Sequence, residues 1–255
     1  MKTSSLLFFL VLTSMVCACG KKQPTTPPAG KPNVELATKK AQNTPPDTNL
    51  AHETSDTADV ANVPQGIDGI RQVWREKTIT LQTTESDIQA FAKAFCEQYP
   101  GFDPNRALCD HLAGQTQQTE QQGYYVNLEA RNGYVSIETT TELPTGTTLC
   151  YWKRRNGHKL LAVWMECQKE GQKAEHLLVS YDYDPNTKVM KPEPALSDEL
   201  DRITKKFPEW SLRLPSEGKD IEIIVFSGPD KDFESTYYNW KWNGHSFRFD
   251  PNAHE

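Results

Sequence analysis

The chain has 255 residues with a hydrophobic content of 36% and a formal net charge of −6 at pH 7. This acidic balance disfavours a nucleic-acid partner, since nucleic-acid binding needs a concentrated patch of basic side chains. One short basic cluster, Lys153-Arg154-Arg155, flanks a predicted turn. We therefore expect no nucleic-acid partner and interpret this cluster as a solvated hairpin tip.

The N-terminus has the pattern of an export signal. Lys2 precedes an apolar run at residues 6–12, which is too short to span about 30 Å of hydrocarbon. The run leads to residues 16–20, Val-Cys-Ala-Cys-Gly, which resemble the lipobox of bacterial lipoproteins: an apolar residue lies three positions before the modified cysteine and a small residue directly before it. Cys17 fits this pattern poorly, because a bulky valine precedes it. The resemblance implies that residues 1–18 are a lipoprotein signal peptide and that Cys19 is lipidated.

Residues 19–64, which begin with the lipidated cysteine, have the composition of a disordered tether. Positions 20–64 contain seven of the 17 prolines and no aromatic residue. Such a segment cannot bury enough apolar surface to offset the entropy of ordering, and its reach is roughly 40 Å. The resemblance to lipoproteins then implies a location in the bacterial cell envelope, facing the periplasm or the cell surface, with a membrane as partner through the lipid.

Residues 65–255 form the predicted single globular domain. Three helices are predicted from apolar spacing and cap residues: 86–98 with a Ser86 cap, 103–113 begun by Asp103-Pro104, and 197–207 with a Ser197 cap. Residues 115–122, which are rich in glutamine, are predicted to be a loop. Residues 77–82 alternate apolar and polar side chains and are predicted to be a lone strand.

The domain is expected to be organised around a hairpin at Asn156-Gly157. A two-residue turn with positive φ at both central positions would place Trp152 opposite Leu161 and Cys150 opposite Val163. Both faces of this hairpin are then largely apolar. We therefore expect it in the middle of a sheet that is covered on both faces.

Two further hairpins are predicted at Asn132-Gly133 and Asn243-Gly244. The first is half-buried and is expected to form an outer pair of the sheet. The second places one row of aromatic side chains on a single face: Tyr238, Trp240, Trp242, His245, Phe247 and Phe249. The predicted fold is α+β: an antiparallel, meander-like sheet of several hairpins, as a sandwich or a strongly curved sheet, with two N-terminal helices and one later helix packed on it.

Four cysteines lie in the domain, and an even number in an exported chain favours disulfide bonds. Sequence proximity suggests pairing Cys96 with Cys109 and Cys150 with Cys167. The predicted register separates the second pair by roughly 13 Å along the strand, which exceeds what a disulfide allows. Either a bulge resets the strand pairing, or both cysteines, which would lie on one face, bond to Cys96 and Cys109 on the helices. We prefer the local pairing.

Two acidic stretches share features with metal sites. Asp182, Asp184 and Asn186 alternate like the first ligands of a calcium loop, and Glu193 stands at the twelfth position. Thr187 occupies the sixth position, where such a loop needs glycine, so the pattern favours a solvated hairpin turn. Asp230, Asp232 and Glu234 are interpreted as a polar loop. We expect no metal and no cofactor.

Within the aromatic row, four side chains could stack on sugar rings or on a partner: Tyr238, Trp240, Trp242 and Phe247. The regular spacing of the row favours a core role. No nucleophile motif or phosphate-binding glycine loop is present in the sequence. The preferred hypothesis is a non-enzymatic domain that binds an envelope protein, a glycan or a small ligand. The alternatives are a hydrolase of envelope polymers and a structural or assembly lipoprotein.

Overall fold

The computed structural model describes residues 63–141, 143–227 and 234–254. The predictions for residues 1–62, including lipidated Cys19 and most of the tether, lie outside the described residues, as do Asp230, Asp232 and the side chain of Glu234. Within the described part of the chain, no helix combines the length and the apolar character that crossing a membrane requires.

The described residues form five α-helices and eleven β-strands. The helices are α1 (Gly66–Val73), α2 (Ile88–Gln98), α3 (Asp103–Leu112), α4 (Thr116–Gln121) and α5 (Ala195–Thr204). The strands are β1 (Ile79–Thr80), β2 (Tyr124–Glu129), β3 (Tyr134–Thr139), β4 (Thr145–Lys153), β5 (Lys159–Cys167), β6 (Glu175–Asp184), β7 (Val189–Pro192), β8 (Trp210–Arg213), β9 (Ile221–Ser227), β10 (Glu234–Trp242) and β11 (Phe247–His254). The predicted α+β class is confirmed.

The strands form two antiparallel sheets. The larger sheet has seven strands in the order β1-β7-β6-β5-β4-β3-β2, and the smaller has four in the order β11-β10-β9-β8. The hairpin β2–β3 forms one outer pair of the larger sheet, as predicted. Strand β1 pairs with β7 and is therefore not the lone strand that the sequence predicted.

Core residues cover both faces of the larger sheet. On one face, strand residues such as Leu161 and Val163 pack in a cluster with residues of α1, α2 and α3. On the other face, Leu160 and Ala162 pack in a second cluster with residues of α5 and the smaller sheet. Strands β4 and β5 therefore have the doubly covered, central position that their apolar pattern predicts.

The turn at Asn156-Gly157 has a three-residue loop instead of the predicted two-residue loop. The Arg154 N–H donates to the His158 carbonyl at 2.9 Å, and the Gly157 N–H donates to the Arg154 carbonyl at 3.1 Å. Gly157 has φ +87°, a left-handed conformation that glycine adopts without steric cost and that is typical of a type I turn followed by a bulge. The added loop residue shifts the register of the hairpin by one position.

This shift changes which side chains share a face. Cys150 lies opposite Ala162 and Trp152 opposite Leu160, instead of opposite Val163 and Leu161. The predicted register is therefore wrong, and the residues predicted for one face are divided between the two clusters. The hydrophobic pattern could not select the register, because both faces of the hairpin are apolar and either pairing buries them.

The other two hairpins differ from prediction by two positions, which keeps every side chain on its predicted face. At Asn132-Gly133, Glu129 pairs with Tyr134. At Asn243-Gly244, Trp242 pairs with Phe247. One face of each predicted pair is polar, so only registers that keep the same faces are compatible with burial.

Side-chain hydrogen bonds show that the predicted N-terminal caps of two helices, Ser86 and Ser197, are wrong. Asp87, and not Ser86, caps α2, since its carboxylate accepts the Ala90 N–H at 3.0 Å. Ser197 lies inside α5, where its hydroxyl donates to the Leu178 carbonyl at 2.7 Å.

The predicted loop at residues 115–122 is wrong, because it contains α4, whose Thr119 side chain is buried. Tertiary packing thus stabilises a short helix of weak sequence pattern.

All four cysteines of the domain are free thiols in the structure. Cys150 lies in the core cluster that faces the smaller sheet, whereas Cys167 packs on the helical side. The two side chains therefore point to opposite faces of the sheet, and the expectation that they share a face is wrong. A bond between Cys150 and Cys167 is incompatible with this register.

Candidate ligand-binding cleft

A cavity of about 550 Å³ opens at the end of the β5–β6 hairpin, and we call it the Trp210 cleft. Five helices and strands, one turn and one loop contribute to it: α1 and the turn at residues 74–76, β5, β6, α5, β8 and the loop at residues 168–174. Its principal polar and aromatic side chains are Arg71, Arg75, Lys173, His176, Asp201 and Trp210. Its volume lies within the range of about 300–1,000 Å³ that is usual for small-molecule sites.

The two helices beside the cleft are placed by their apolar faces. In α1 and the turn that follows, Ile67, Ile70 and Trp74 are buried with helical spacing, and the charged residues Arg71 and Arg75 remain at the surface. Helix α5 likewise buries one apolar face while Asp201 lines the cleft. The same packing that forms the core therefore positions the charged groups.

One wall of the cleft consists of three aromatic rings. The His176 ring stacks on Trp164 with 5.1 Å between centroids, and it lies 4.2 Å from the Trp210 centroid. Trp164 is buried, whereas His176 and Trp210 are partly exposed. The buried Nδ1 of His176 has no hydrogen-bond partner among the described residues. Such an atom normally costs stability, as do the other two unpartnered buried nitrogens of the described residues, His111 Nδ1 and Trp240 Nε1.

Two arginines, Arg71 from α1 and Arg75 from the turn after it, lie at the rim. Arg71 pairs with Asp68 at 3.3 Å and also donates to the His176 carbonyl at 3.0 Å. Arg75 pairs with Asp198 at 2.6 Å, and its guanidinium lies 5.0 Å from the centre of the Trp74 ring. The side chains of Arg71 and Arg75 remain 49% and 44% exposed, so both are accessible from solvent.

Burial shifts the titration of two groups in the cleft. Burial, together with the positive charges of Lys173 and Arg71, lowers the pKa of His176 to about 4. Burial also raises the pKa of Asp201, and Asp198 adds to this effect while Arg71 and Arg75 oppose it. His176 is therefore a neutral ring at neutral pH.

The depressed pKa of His176 predicts a loss of stability in acid. The unfolded chain takes up a proton near pH 6.5, whereas the folded chain does so only near pH 4. The contribution of neutral His176 to the unfolding free energy should therefore be complete above about pH 6.5. The unfolding free energy should fall by about 2 kcal/mol as the pH drops to 4, after allowance for solvent at the partly exposed ring. Urea denaturation at several pH values measures this loss.

A His176→Gln variant isolates the contribution of this ring from the titration of the carboxylates. Its stability curve should lie flatter than that of the wild type between pH 6.5 and 4, while His245→Gln, at an exposed turn residue, should follow the wild type. Parallel curves for wild type and His176→Gln would contradict the assignment.

The predicted acidic turn follows β6. Asp184 accepts the Asn186 N–H at 2.9 Å and the Thr187 hydroxyl at 3.1 Å, which is the geometry of a hydrogen-bonded turn. Asp182 instead contacts Arg154 at 2.5 Å and His158 at 2.6 Å. Within the described residues, no group of three or more His, Cys, Asp or Glu side chains could hold a metal ion.

Arg154 corrects the interpretation of the basic cluster as a solvated tip. Its side chain is only 6% exposed and donates to Glu193 at 2.6 Å as well as to Asp182. Its Nε–H also donates to the His245 carbonyl at 3.1 Å. Burial lowers its pKa, but the hydrogen bonds and charges of the two carboxylates outweigh burial and raise the pKa above the usual value. Arg154 therefore connects the two sheets.

The aromatic row of the last hairpin packs largely into the core between the sheets. Trp240 is 1% exposed, as the core interpretation requires. Tyr238, Trp242 and Phe247 are partly buried against the same cluster. The Trp152 ring fills the space between them and the larger sheet, with its centroid 4.8 Å from that of Phe247. Stacking of a ligand on this row stays a prediction.

Most of the Trp210 cleft was not anticipated from the sequence. No element was predicted for residues 66–76 or 210–213, which supply Arg71, Arg75 and Trp210. The spacing of Ile67, Ile70 and Trp74 would have indicated an amphipathic helix. No sequence signal relates these segments to His176, because they are far apart in the chain.

Comparison with known proteins gives one distant structural similarity. No protein-family model matches this chain, and no curated protein matches it. The chain is similar to a domain of an uncharacterised protein from Porphyromonas gingivalis W83, with 13% identity and a TM-score of 0.31, over 55% of this chain and 89% of that one. This similarity carries no information about function.

Proposed function

We propose that this chain is a lipoprotein of the bacterial cell envelope, and that its domain is a non-enzymatic binding module with the Trp210 cleft as its ligand site. The observation that carries the proposal is the convergence of aromatic and charged groups in one cavity. His176 and Trp210 supply aromatic surface, and Arg71, Arg75, Lys173 and Asp201 supply charged groups. A few polar groups converging on a mainly apolar wall are typical of ligand sites.

Capture of envelope components tests the binding proposal. The full chain, purified from membranes and immobilised, should retain a component of its own envelope fraction. Trp210→Ala should reduce the retained amount at least about tenfold, because loss of one aromatic anchor at a binding site commonly costs more than about 1.4 kcal/mol. The control is Tyr125→Ala, which removes a 58% exposed aromatic ring outside the cleft. Equal retention by all three proteins would refute the cleft as the binding site.

The proposed anchor is the acylated cysteine of the motif at residues 16–20. Cells that express the chain and grow with a labelled fatty acid should incorporate label into it, and Cys19→Ala should abolish labelling. Several acyl chains would hold the protein stably, since each buried methylene contributes about 0.8 kcal/mol. The matched control is Cys17→Ala, two residues away, which should keep the label. Label retained in Cys19→Ala would exclude this anchor.

We also propose a disulfide between Cys96 of α2 and Cys109 of α3 in the exported protein. Burial raises the pKa of Cys96 well above its usual value, and a hydrogen bond from the Cys96 thiol lowers the pKa of Cys109, so the two sulfur atoms are neighbours. The two thiols would transfer two electrons and two protons to a disulfide oxidant of the envelope, which becomes a dithiol. One S–S bond would then join Cys96 and Cys109.

A further inference from the structure

The aromatic surface available to a ligand in the Trp210 cleft comes from Trp210 and His176. Trp164 stacks behind His176 and is 5% exposed, so it supports the wall and does not offer a free face. Trp210 is partly exposed at the start of β8. The flat face of an indole ring matches the C–H face of a pyranose ring in shape and polarity.

Positive charge reaches the cleft from two directions. Arg71 and Arg75 come from α1 and the turn after it, and Lys173 comes from the loop that precedes β6. Among the residues that the structure describes, Lys173 has no ion-pair partner. Glu175 is paired with Lys169 at 3.2 Å, which leaves Asp201 as the carboxylate of the cleft without a direct ion pair. The side chains that line the cleft carry three positive charges, on Arg71, Arg75 and Lys173, and two negative charges, on Glu175 and Asp201, in a chain of net charge −6. This positive lining favours an anionic ligand.

The existing ion pairs of the two arginines would not prevent such a ligand from binding. Asp68 and Asp198 are 71% and 58% exposed, and exposed pairs of this kind contribute little to stability. A guanidinium binds a carboxylate through two parallel hydrogen bonds, so a ligand carboxylate can replace the aspartate or share the arginine with it. Asp201 can accept hydrogen bonds from hydroxyl groups beside that carboxylate.

We infer that the Trp210 cleft binds an acidic saccharide, with a pyranose ring against Trp210 and its carboxylate at Arg71, Arg75 and Lys173. This inference rests on the proposed function and deepens it, because it assigns a ligand class to the same site. Neutral sugars would use the aromatic wall but leave Lys173 without an ion-pair partner and the exposed arginines without a ligand carboxylate. A purely aromatic anion would leave Asp201 without hydroxyl groups to bind.

A matched pair of oligosaccharides tests the inference. The tetramers of β-1,4-linked glucuronic acid and of β-1,4-linked glucose share a backbone and differ only at C6. Titration calorimetry with the full chain purified from membranes should show at least about tenfold tighter binding of the acidic tetramer. Added salt should weaken binding of the acidic tetramer and leave the neutral one unchanged, because salt screens exposed charges.

Substitutions at the rim of the cleft test which side chains contact the ligand carboxylate. Lys173→Gln and Arg75→Gln should each weaken binding of the acidic tetramer by about three- to tenfold, while the affinity for the neutral tetramer stays constant. The matched control is Lys191→Gln, which removes an exposed lysine of β7 outside the cleft. Trp210→Ala should weaken binding of both tetramers. Circular dichroism and urea denaturation confirm that each variant is folded.

The outcomes separate this inference from the proposed function. Equal affinity for the two tetramers, no binding of the acidic tetramer, or equal losses in Lys191→Gln and Lys173→Gln would each overturn the acidic-saccharide assignment. If an envelope component is still retained in a Trp210-dependent manner, the binding function stands and the ligand is a peptide or a neutral glycan. If that retention is also absent, both proposals fail.

Discussion

An Arg154→Ala variant is expected to lose about 3–5 kcal/mol of unfolding free energy, because it leaves two carboxylates in a partly buried site without their cation. The Arg154 guanidinium donates to Asp182 at 2.5 Å and to Glu193 at 2.6 Å, and its side chain is 6% exposed. It also donates to the His245 carbonyl in the last hairpin. Its removal therefore weakens the attachment of the smaller sheet to the larger one.

The neighbouring Arg155 provides a matched control. Its side chain is exposed and makes a single hydrogen bond of 3.2 Å to the Asn243 carbonyl. Arg155→Ala should therefore cost less than about 1 kcal/mol in urea denaturation followed by tryptophan fluorescence. Adding Glu193→Gln to Arg154→Ala should recover part of the loss by removing one uncompensated charge. Similar losses for the two single alanine variants would show that Arg154 does not stabilise the contact between the sheets.

The contrast between Arg154 and Arg155 shows where sequence reasoning fails for charged residues. Both follow Lys153 at the end of a predicted strand, and the cluster has the composition of a solvated turn. The burial of Arg154 depends on Asp182, Glu193 and His245, which are between 28 and 91 residues away. The residues adjacent to Arg154 in the sequence contain no information about partners that are so far away along the chain.

Strand content was predictable from the sequence, but register was predictable only where the two faces of a hairpin differ. The Asn132-Gly133 and Asn243-Gly244 hairpins each have one polar face, and their side chains lie on the predicted faces. The Asn156-Gly157 hairpin is apolar on both faces, so burial energy does not distinguish adjacent registers. The bulge at Gly157 decides the register there.

The Trp210 cleft was less predictable than the fold because no single segment contains it. Its polar groups come from α1 and the turn after it, the loop before β6, β6 itself and α5, while Trp210 begins β8. Each segment considered alone has an ordinary amphipathic pattern, in which Arg71 or Asp201 is one more surface charge. Only the packing of α1 and α5 beside the β5–β6 hairpin gives these charges a common cavity.

The disulfide proposal predicts that reduction destabilises the exported protein by about 3 kcal/mol. A bond between Cys96 and Cys109 closes a loop of 14 residues, and restricting a loop of this size in the unfolded chain accounts for about that free energy. Denaturation midpoints measured with and without dithiothreitol should therefore differ for the wild type. Non-reducing peptide mapping should find Cys96 and Cys109 in one linked peptide pair, while Cys150 and Cys167 react as thiols.

A Cys109→Ser variant should be as stable without reductant as the reduced wild type and should not respond to dithiothreitol, because it cannot form the bond. The matched control is Cys167→Ser, which changes a partly buried thiol on the same side of the larger sheet and should keep the full response to reductant. If Cys96 and Cys109 of the exported protein both react with a thiol reagent after denaturation, no bond joins α2 to α3. The stability of this helical layer then comes from core packing alone.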